Sequence, residues 1–157
     1  MGKLDPNAVP ESRATRYPKR FQQHGGGDVT KRAFRRLGPH AGLTQFGVNL
    51  VRVEPGGMSS LRHWHTEEDE FVVMLTGELV LVTDEGEQPL RAGELAAFPK
   101  NVANGHHVLN RSSADATFIV VGPNVDHDIA YYSDVDMMVG PGEAPFRTRA
   151  GVKYDDV

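Results

Sequence analysis

The sequence contains no cysteine. That absence excludes a disulfide framework, a thiolate zinc site, an iron–sulfur cluster and a cysteine nucleophile together, so any metal must be held by His, Asp or Glu. Long apolar runs are also missing. The longest reach only four or five residues, far short of the roughly 20 that a membrane-spanning helix needs. The start of the chain, with Pro6, Pro10 and Glu11, lacks the apolar stretch of a signal peptide. A soluble, cytoplasmic protein without membrane contact is the expectation. No segment keeps a 3.6-residue apolar period over twelve residues, which leaves no candidate for an amphipathic helix.

What is present fits one self-sufficient domain. The chain has 157 residues, 39% apolar and 24% charged, enough to fill a core of ordinary size. The net charge of −4 conceals an uneven distribution: residues 1–36 carry nine Lys or Arg against three acids, and residues 37–157 carry eight against eighteen. Lys31, Arg32, Arg35 and Arg36 could grip phosphate. No helix-turn-helix, zinc finger or aromatic RNA-binding signature accompanies them, so a nucleic-acid partner is not expected. A basic arm, 1–42, packing on the acidic body of its own or a partner chain is the plainer reading. Residues 43–139 read as the body and 140–157 as a tail.

Glycine and proline total 27 residues and fall between short β-prone runs. The runs predict strands at 43–53, 61–65, 71–75, 79–83, 88–90, 95–98, 106–109, 116–121 and 129–132. Turn-formers separate them, as in Pro55-Gly56-Gly57, Thr76-Gly77 and Asp84-Glu85-Gly86. Neighbouring strands are therefore expected to be antiparallel. So many short strands predict an all-β sandwich or barrel, because each sheet must bury its apolar face.

The segment carrying chemistry runs from Gly57 to Gly77 and contains His63, His65 and Glu70. Side chains alternate along a strand, so His63 and His65 share a face with Cα atoms roughly 6.5 Å apart. By itself such a pair also fits a solvent-facing strand with no ligand. The acid-rich residues 66–69 interrupt the apolar pattern before 71–75 resumes it, which predicts strand, turn, strand. That hairpin would offer the Glu70 carboxylate to an ion held by both imidazoles. Further along, His106 and His107 follow Gly105, and on a strand they would face opposite ways.

Here the sequence resembles the cupin superfamily. The first motif of that family, G-x5-H-x-H-x4-E-x6-G, is matched with every spacing kept by Gly57, His63, His65, Glu70 and Gly77. The second, G-x5-P-x-G-x2-H-x3-N, is met at Gly93, Pro99, His106 and Asn110, with two additional residues before the histidine and Asn101 where glycine is usual. The resemblance implies a double-stranded β-helix, or jelly-roll, barrel in a single domain. It also implies one divalent metal per chain, Fe, Mn, Ni or Zn, on His63, His65, Glu70 and His106, with His107 as the alternative third imidazole. A homodimer is implied as well.

Three imidazoles and a carboxylate leave coordination positions open for dioxygen, water or a chelating substrate. The expected function is a metal-dependent enzyme acting on a small polar metabolite, either a dioxygenase or a Lewis-acid isomerase, lyase or hydrolase. Glu70 is the candidate catalytic base. The alternative is a module that binds a metal and a small ligand without turnover. Arg62 alternates away from His63 and reads as a salt-bridge residue. Arg52 reads either as a partner of Glu54 or an acidic turn, or as a clamp for a substrate carboxylate. Trp64 should face away from the two histidines and pack against a second sheet or the arm. At most one of Tyr131 and Tyr132 can approach the cavity. His24, His40 and His127 read as surface residues, and Met58, Met74, Met137 and Met138 as core filler.

Overall fold

The computed structural model describes residues 2–142 and 144–155. Met1, in the predicted arm, and Glu143, Asp156 and Val157, in the predicted tail, lie outside the described residues. A two-residue ladder, β1 (Gln23–His24) with β2 (Gly27–Asp28), precedes β3 (Arg32–Arg36) and a short helix, α1 (Leu37–His40). Next come β4 (Phe46–Val53), β5 (His63–His65), β6 (Glu70–Thr76), β7 (Glu78–Thr83) and β8 (Gly86–Arg91). The series closes with β9 (Leu95–Phe98), β10 (His107–Leu109), β11 (Ala116–Pro123), β12 (Ala130–Tyr132) and β13 (Met138–Val139). All nine expected strands are present.

One wall is a five-stranded antiparallel sheet in the order β3-β4-β11-β6-β9. The other consists of two three-stranded sheets, β10-β7-β8 and β13-β12-β5, joined where His63 and His106 pair across β5 and the start of β10. Strands consecutive in sequence mostly lie on opposite walls, as a jelly roll requires. The expected hairpin between 61–65 and 71–75 is therefore corrected: β5 pairs with β12, and β6 with β11 and β9. The acidic turn carries the chain from one wall to the other. Of the connections across β5 to β10, only β7–β8 is a tight hairpin.

A second difference lies in the range read as an irregular arm. Residues 32–36 form the edge strand of the large sheet, with Phe34 opposite Val51 and Arg36 opposite Asn49. Arginine obscures the apolar alternation of this strand in the sequence, although 32, 34 and 36 share one face.

The barrel core packs Val51, Val53, Val72, Met74, Leu79, Val108 and Phe118 between the walls. A second cluster draws Tyr17 and Val29 from before β3 and Phe146 from beyond β13 onto Met58, Leu61, Tyr132 and Met137. The segments flanking the barrel thus pack on this chain's own strands. Burying each such side chain contributes about 1.5–3 kcal/mol. Met58, Met74 and Met137 are core residues, with at most 1% exposure.

Both glycines bounding the first motif sit where a side chain will not fit. A Cβ at Gly57 would lie 2.9 Å from the carbonyl oxygens of Glu54 and Lys31. At Gly77, φ is 76° and a Cβ would meet that of Ala116 at 2.8 Å. Asn101, at the motif's other glycine position, has φ 58°, and among the described residues no other non-glycine has positive φ. Asparagine tolerates this left-handed region better than most residues, so the two additional residues fall between Asn101 and His106.

Candidate metal centre

Strand phase aims each side chain of the centre. On β6, Glu70, Val72 and Met74 share the inward phase, while Phe71 and Leu75 point outward with exposures of 42% and 43%. His63 and His65 share the inner face of β5. The backbone pair between His63 and His106, with N–H···O distances of 3.2 and 2.9 Å, brings the third imidazole alongside the first. Phe98, opposite Glu70 on β9, stacks flat on the His106 ring with centroids 3.6 Å apart.

The four groups converge on one oxygen. Oε2 of Glu70 lies 2.7 Å from Nε2 of His106, 3.8 Å from Nε2 of His65 and 3.9 Å from Nε2 of His63. The ligating atoms of His63, Glu70 and His106 all fall within 4.8 Å of one another, a grouping able to hold a metal ion. His65 enters through its contact with Glu70. His107, the alternative, points elsewhere: its Nδ1 lies 3.0 Å from the Ser60 carbonyl oxygen, and its ring is buried.

Hydrogen bonds on the far side of two imidazoles set their tautomers. His65 Nδ1–H donates to Oδ2 of Asp128 at 2.6 Å, and His63 Nδ1–H donates to the Leu61 carbonyl at 2.9 Å. Both Nε2 atoms are then left with a lone pair directed at Glu70, the form in which imidazole binds a metal. His106 Nδ1 is buried without a hydrogen-bond partner, so that ring is fixed by Phe98 stacking and by the Glu70 contact. The donor set and its spacing fit a divalent ion bound by nitrogen and oxygen.

Burial, followed by the adjacent His65 and His106, pushes His63 down to about 3, so it is neutral near pH 7. Burial alone would raise the Glu70 carboxyl, but the His106 hydrogen bond and the three imidazoles bring it to about 2. Burial also opposes the charged form of His65, yet Glu70 and Asp128 lift it above its ordinary value. Asp128 is itself held by the Glu67 backbone N–H at 2.8 Å and the Thr66 hydroxyl at 3.3 Å.

Asp128 was not singled out in the sequence. It lies 63 residues from its histidine, in no motif, and no spacing signals it. Tyr17 was missed too. Its hydroxyl pairs with that of Tyr132 at 3.2 Å, and the Tyr132 ring stacks over His63 with centroids 5.7 Å apart. Tyr132 is thus the tyrosine that approaches the centre.

The remaining expectations divide. Arg62 forms ion pairs with Asp84 at 2.5 Å and Asp134 at 2.6 Å, as its strand phase implied. The substrate-clamp reading of Arg52 is overturned: its outward guanidinium binds Glu11 at 2.6 Å and Glu54 and Asp115 at 3.0 Å. Trp64 faces away from the histidines and packs on Tyr131 of the neighbouring strand in its own sheet, with centroids 5.0 Å apart. His40 and His127 are exposed, and His24 is half-buried.

The centre opens into a cavity of about 550 Å³ between the walls, whose charged lining comprises Glu70, Arg16, Arg32 and Arg36. Among the described residues no helix is long and apolar enough to cross a membrane.

Comparison with known proteins supports the same fold. A family profile described as a cupin domain matches residues 49–122. A crystal structure described as a sugar phosphate isomerase from a cupin superfamily, from Silicibacter pomeroyi, is 45% identical, with 97% of this chain and 96% of that chain covered and a TM-score of 0.88. A candidate sugar phosphate isomerase from Acidithiobacillus ferrooxidans is 27% identical over 78% of this chain and 79% of that one, with a TM-score of 0.70. A polyketide cyclase from Streptomyces resistomycificus, 22% identical over 78% and 79% with a TM-score of 0.63, shares the fold. No curated protein matches the chain. A motif of five residues at fixed spacing, the jelly-roll walls that position them and a relative similar along nearly its whole length lead to one conclusion: the chain belongs to the cupin superfamily.

Proposed function

We propose that this protein is a metal-dependent isomerase of a small phosphorylated sugar or sugar-like metabolite, with His63, His65, Glu70 and His106 as the metal ligands. The observation that carries this reading is the convergence of three imidazole nitrogens on the Glu70 carboxylate, at 2.7–3.9 Å, inside a cavity large enough for such a metabolite. The Silicibacter pomeroyi protein, 45% identical and described as a sugar phosphate isomerase, supports the choice of reaction.

Interconverting an aldose and a ketose moves one proton between adjacent carbons and a second from the hydroxyl to the carbonyl oxygen, and midway the sugar oxygens carry the negative charge left when the carbon-bound proton is removed. A bound divalent ion would supply the charge stabilisation for that oxygen. The chain's own groups supply the rest. Glu70 is the carboxylate lining the cavity and is ionised, hence in the proton-accepting form near pH 7. The Tyr17 hydroxyl, which burial keeps protonated, can donate a hydrogen bond into the same cavity. Val72, Phe98 and Phe118 form an apolar lining that limits water around the reacting carbons.

We further propose a homodimer through the outer face of the large sheet, where Phe46, Phe71, Leu75 and Leu95 are 41–59% exposed. Localisation in the cytoplasm is part of the same proposal.

The test is multiple-turnover isomerisation of phosphorylated aldoses, followed by proton exchange with solvent at the carbon next to the carbonyl, in protein loaded in turn with Fe(II), Mn(II), Ni(II) and Zn(II). Turnover and exchange that vanish in Glu70→Gln support the reading. Stoichiometric ligand binding with no exchange under any metal would replace it with a non-catalytic binding module.

A further inference from the structure

Strand β3 places three side chains of one phase, Arg32, Phe34 and Arg36, along the cavity wall. The two guanidinium groups flank one ring, each 5.6 Å from the Phe34 centroid. Their register partners on β4, Val53, Val51 and Asn49, continue the same face. Arg35, of the opposite phase, turns outward to Glu11 at 3.5 Å and to the Val9 carbonyl.

The inward pair differs from the outward arginines in what compensates its charge. Arg13, Arg35, Arg52, Arg62, Arg91 and Arg111 each meet a carboxylate. Among the described residues, neither Arg32 nor Arg36 has a carboxylate within ion-pair distance. Arg32 donates from one nitrogen to the Ser59 carbonyl and is half-buried, and burial pushes its guanidinium below its ordinary value. Partly desolvating a cation without a counter-charge is unfavourable, and a bound anion would relieve it. Glu70, the carboxylate of the cavity, is already engaged by the histidines. The wall opposite the histidines is thus cationic and preorganised, although the body beyond residue 36 carries eight basic residues against eighteen acidic ones.

We infer that Arg32 and Arg36 form the phosphate-binding end of the cavity, taking the phosphate monoester of the substrate while its carbonyl end faces Glu70 and the histidines. The inference rests on the isomerase reading for the identity of the anion. Guanidinium forks match the oxygens of a phosphate dianion, and holding Arg32 rigid against Phe34 and Ser59 lowers the entropy lost on binding. The Asn49 amide, facing the cavity between the strands, adds a neutral donor beside Arg36. Arg16 also lines the cavity but donates to the carbonyls of Gly142 and Ala144 at 3.1 and 3.2 Å, which fixes the segment after β13 over this end.

The test is calorimetric titration of the full chain with inorganic phosphate, glycerol 3-phosphate and glycerol, before and after chelator treatment. Inorganic phosphate and glycerol 3-phosphate should both bind the chelator-treated protein, and glycerol should not. Losing one charged hydrogen-bond donor should weaken phosphate binding about 10- to 100-fold in Arg32→Gln and about 10-fold in Arg36→Gln. Arg91→Gln, altering a guanidinium paired with Glu78 on the outer surface, should leave it unchanged. If Arg32→Gln does not fold, Arg36→Gln at the exposed end of the strand decides. Undiminished phosphate affinity in Arg36→Gln, loss of phosphate binding on chelation, or tighter binding of malonate than of phosphate would each overturn the assignment. Phosphate binding without isomerisation would remove the reaction and leave the subsite, whereas isomerisation with unchanged phosphate affinity in the variants would do the reverse.

Discussion

Asp128 accepts a 2.6 Å hydrogen bond from Nδ1–H of His65. That contact fixes which nitrogen of His65 is bare, and through it whether the imidazole can ligate at all. A carboxylate behind a ligating histidine raises its basicity and locks its ring orientation.

Asp128→Asn should therefore lower metal affinity about 10- to 100-fold while leaving the barrel folded. Competition with a chelator of known affinity measures the change, and circular dichroism checks the fold. Unaltered affinity would mean that Asp128 serves only the turn it caps through Thr66 and Glu67.

Replacing His63, His65 or His106 with Ala should abolish stoichiometric metal in protein purified without chelator. His107→Ala should retain the metal, because its Nδ1 faces Ser60, but should lose stability from its buried position. Glu70→Gln should fall between, since it removes the charge and keeps an oxygen. Elemental analysis of the five variants decides, and retention of a full equivalent in His63→Ala would remove the centre proposed here.

Acid should destabilise the chelator-treated protein in a defined window. His63 has an ordinary value of 6.5 when unfolded and about 3 when folded, so between these limits the unfolded chain binds the additional proton. Its contribution is intact above pH 6.5 and is lost as pH falls, at up to about 1.4 kcal/mol per pH unit. His65, raised in the fold, contributes oppositely: its stabilisation is present at low pH and is lost as pH rises through its folded value. The urea midpoint should drop between pH 7 and pH 5, and His63→Asn should flatten that slope. An equal slope in the variant would contradict the buried, neutral assignment.

Tyr17 connects the segment before β3 to the centre. Tyr17→Ala should cost about 3–5 kcal/mol, because the ring stacks on Phe146 with centroids 5.1 Å apart and meets Tyr132 edge-on. Tyr17→Phe removes only the hydroxyl contact and should cost about 1 kcal/mol. Equilibrium denaturation of both variants gives the two numbers, and a loss below about 1 kcal/mol in Tyr17→Ala would show that this segment is dispensable for stability.

If the outer face of the large sheet is shared between two copies, the double variant Phe71→Glu with Leu95→Glu should sediment as a monomer. Wild type should sediment as a dimer at the same concentration. A monomeric wild type would set the dimer aside.

Much of the centre was legible because strand geometry converts spacing into direction. His63 and His65 must share a face at a period of two, and motif spacing singles out Glu70 and His106. The same alternation correctly turned Arg62 and Trp64 away. It failed for the connection after β5, since an acidic turn reads alike whether the chain folds back beside its own strand or crosses to the facing wall.

Residue identity and local period thus determined the strands, their inward sides and the donor types, which are short-range properties of the backbone. The tertiary structure alone decided which strands became neighbours, and with that the pairing of His63 with His106, the seat of Asp128 behind His65 and the inward turn of Arg32 and Arg36. The physical reason is burial. Each wall can hide its apolar face only against the other, so closing the barrel brings together groups distant in the chain that no local pattern relates.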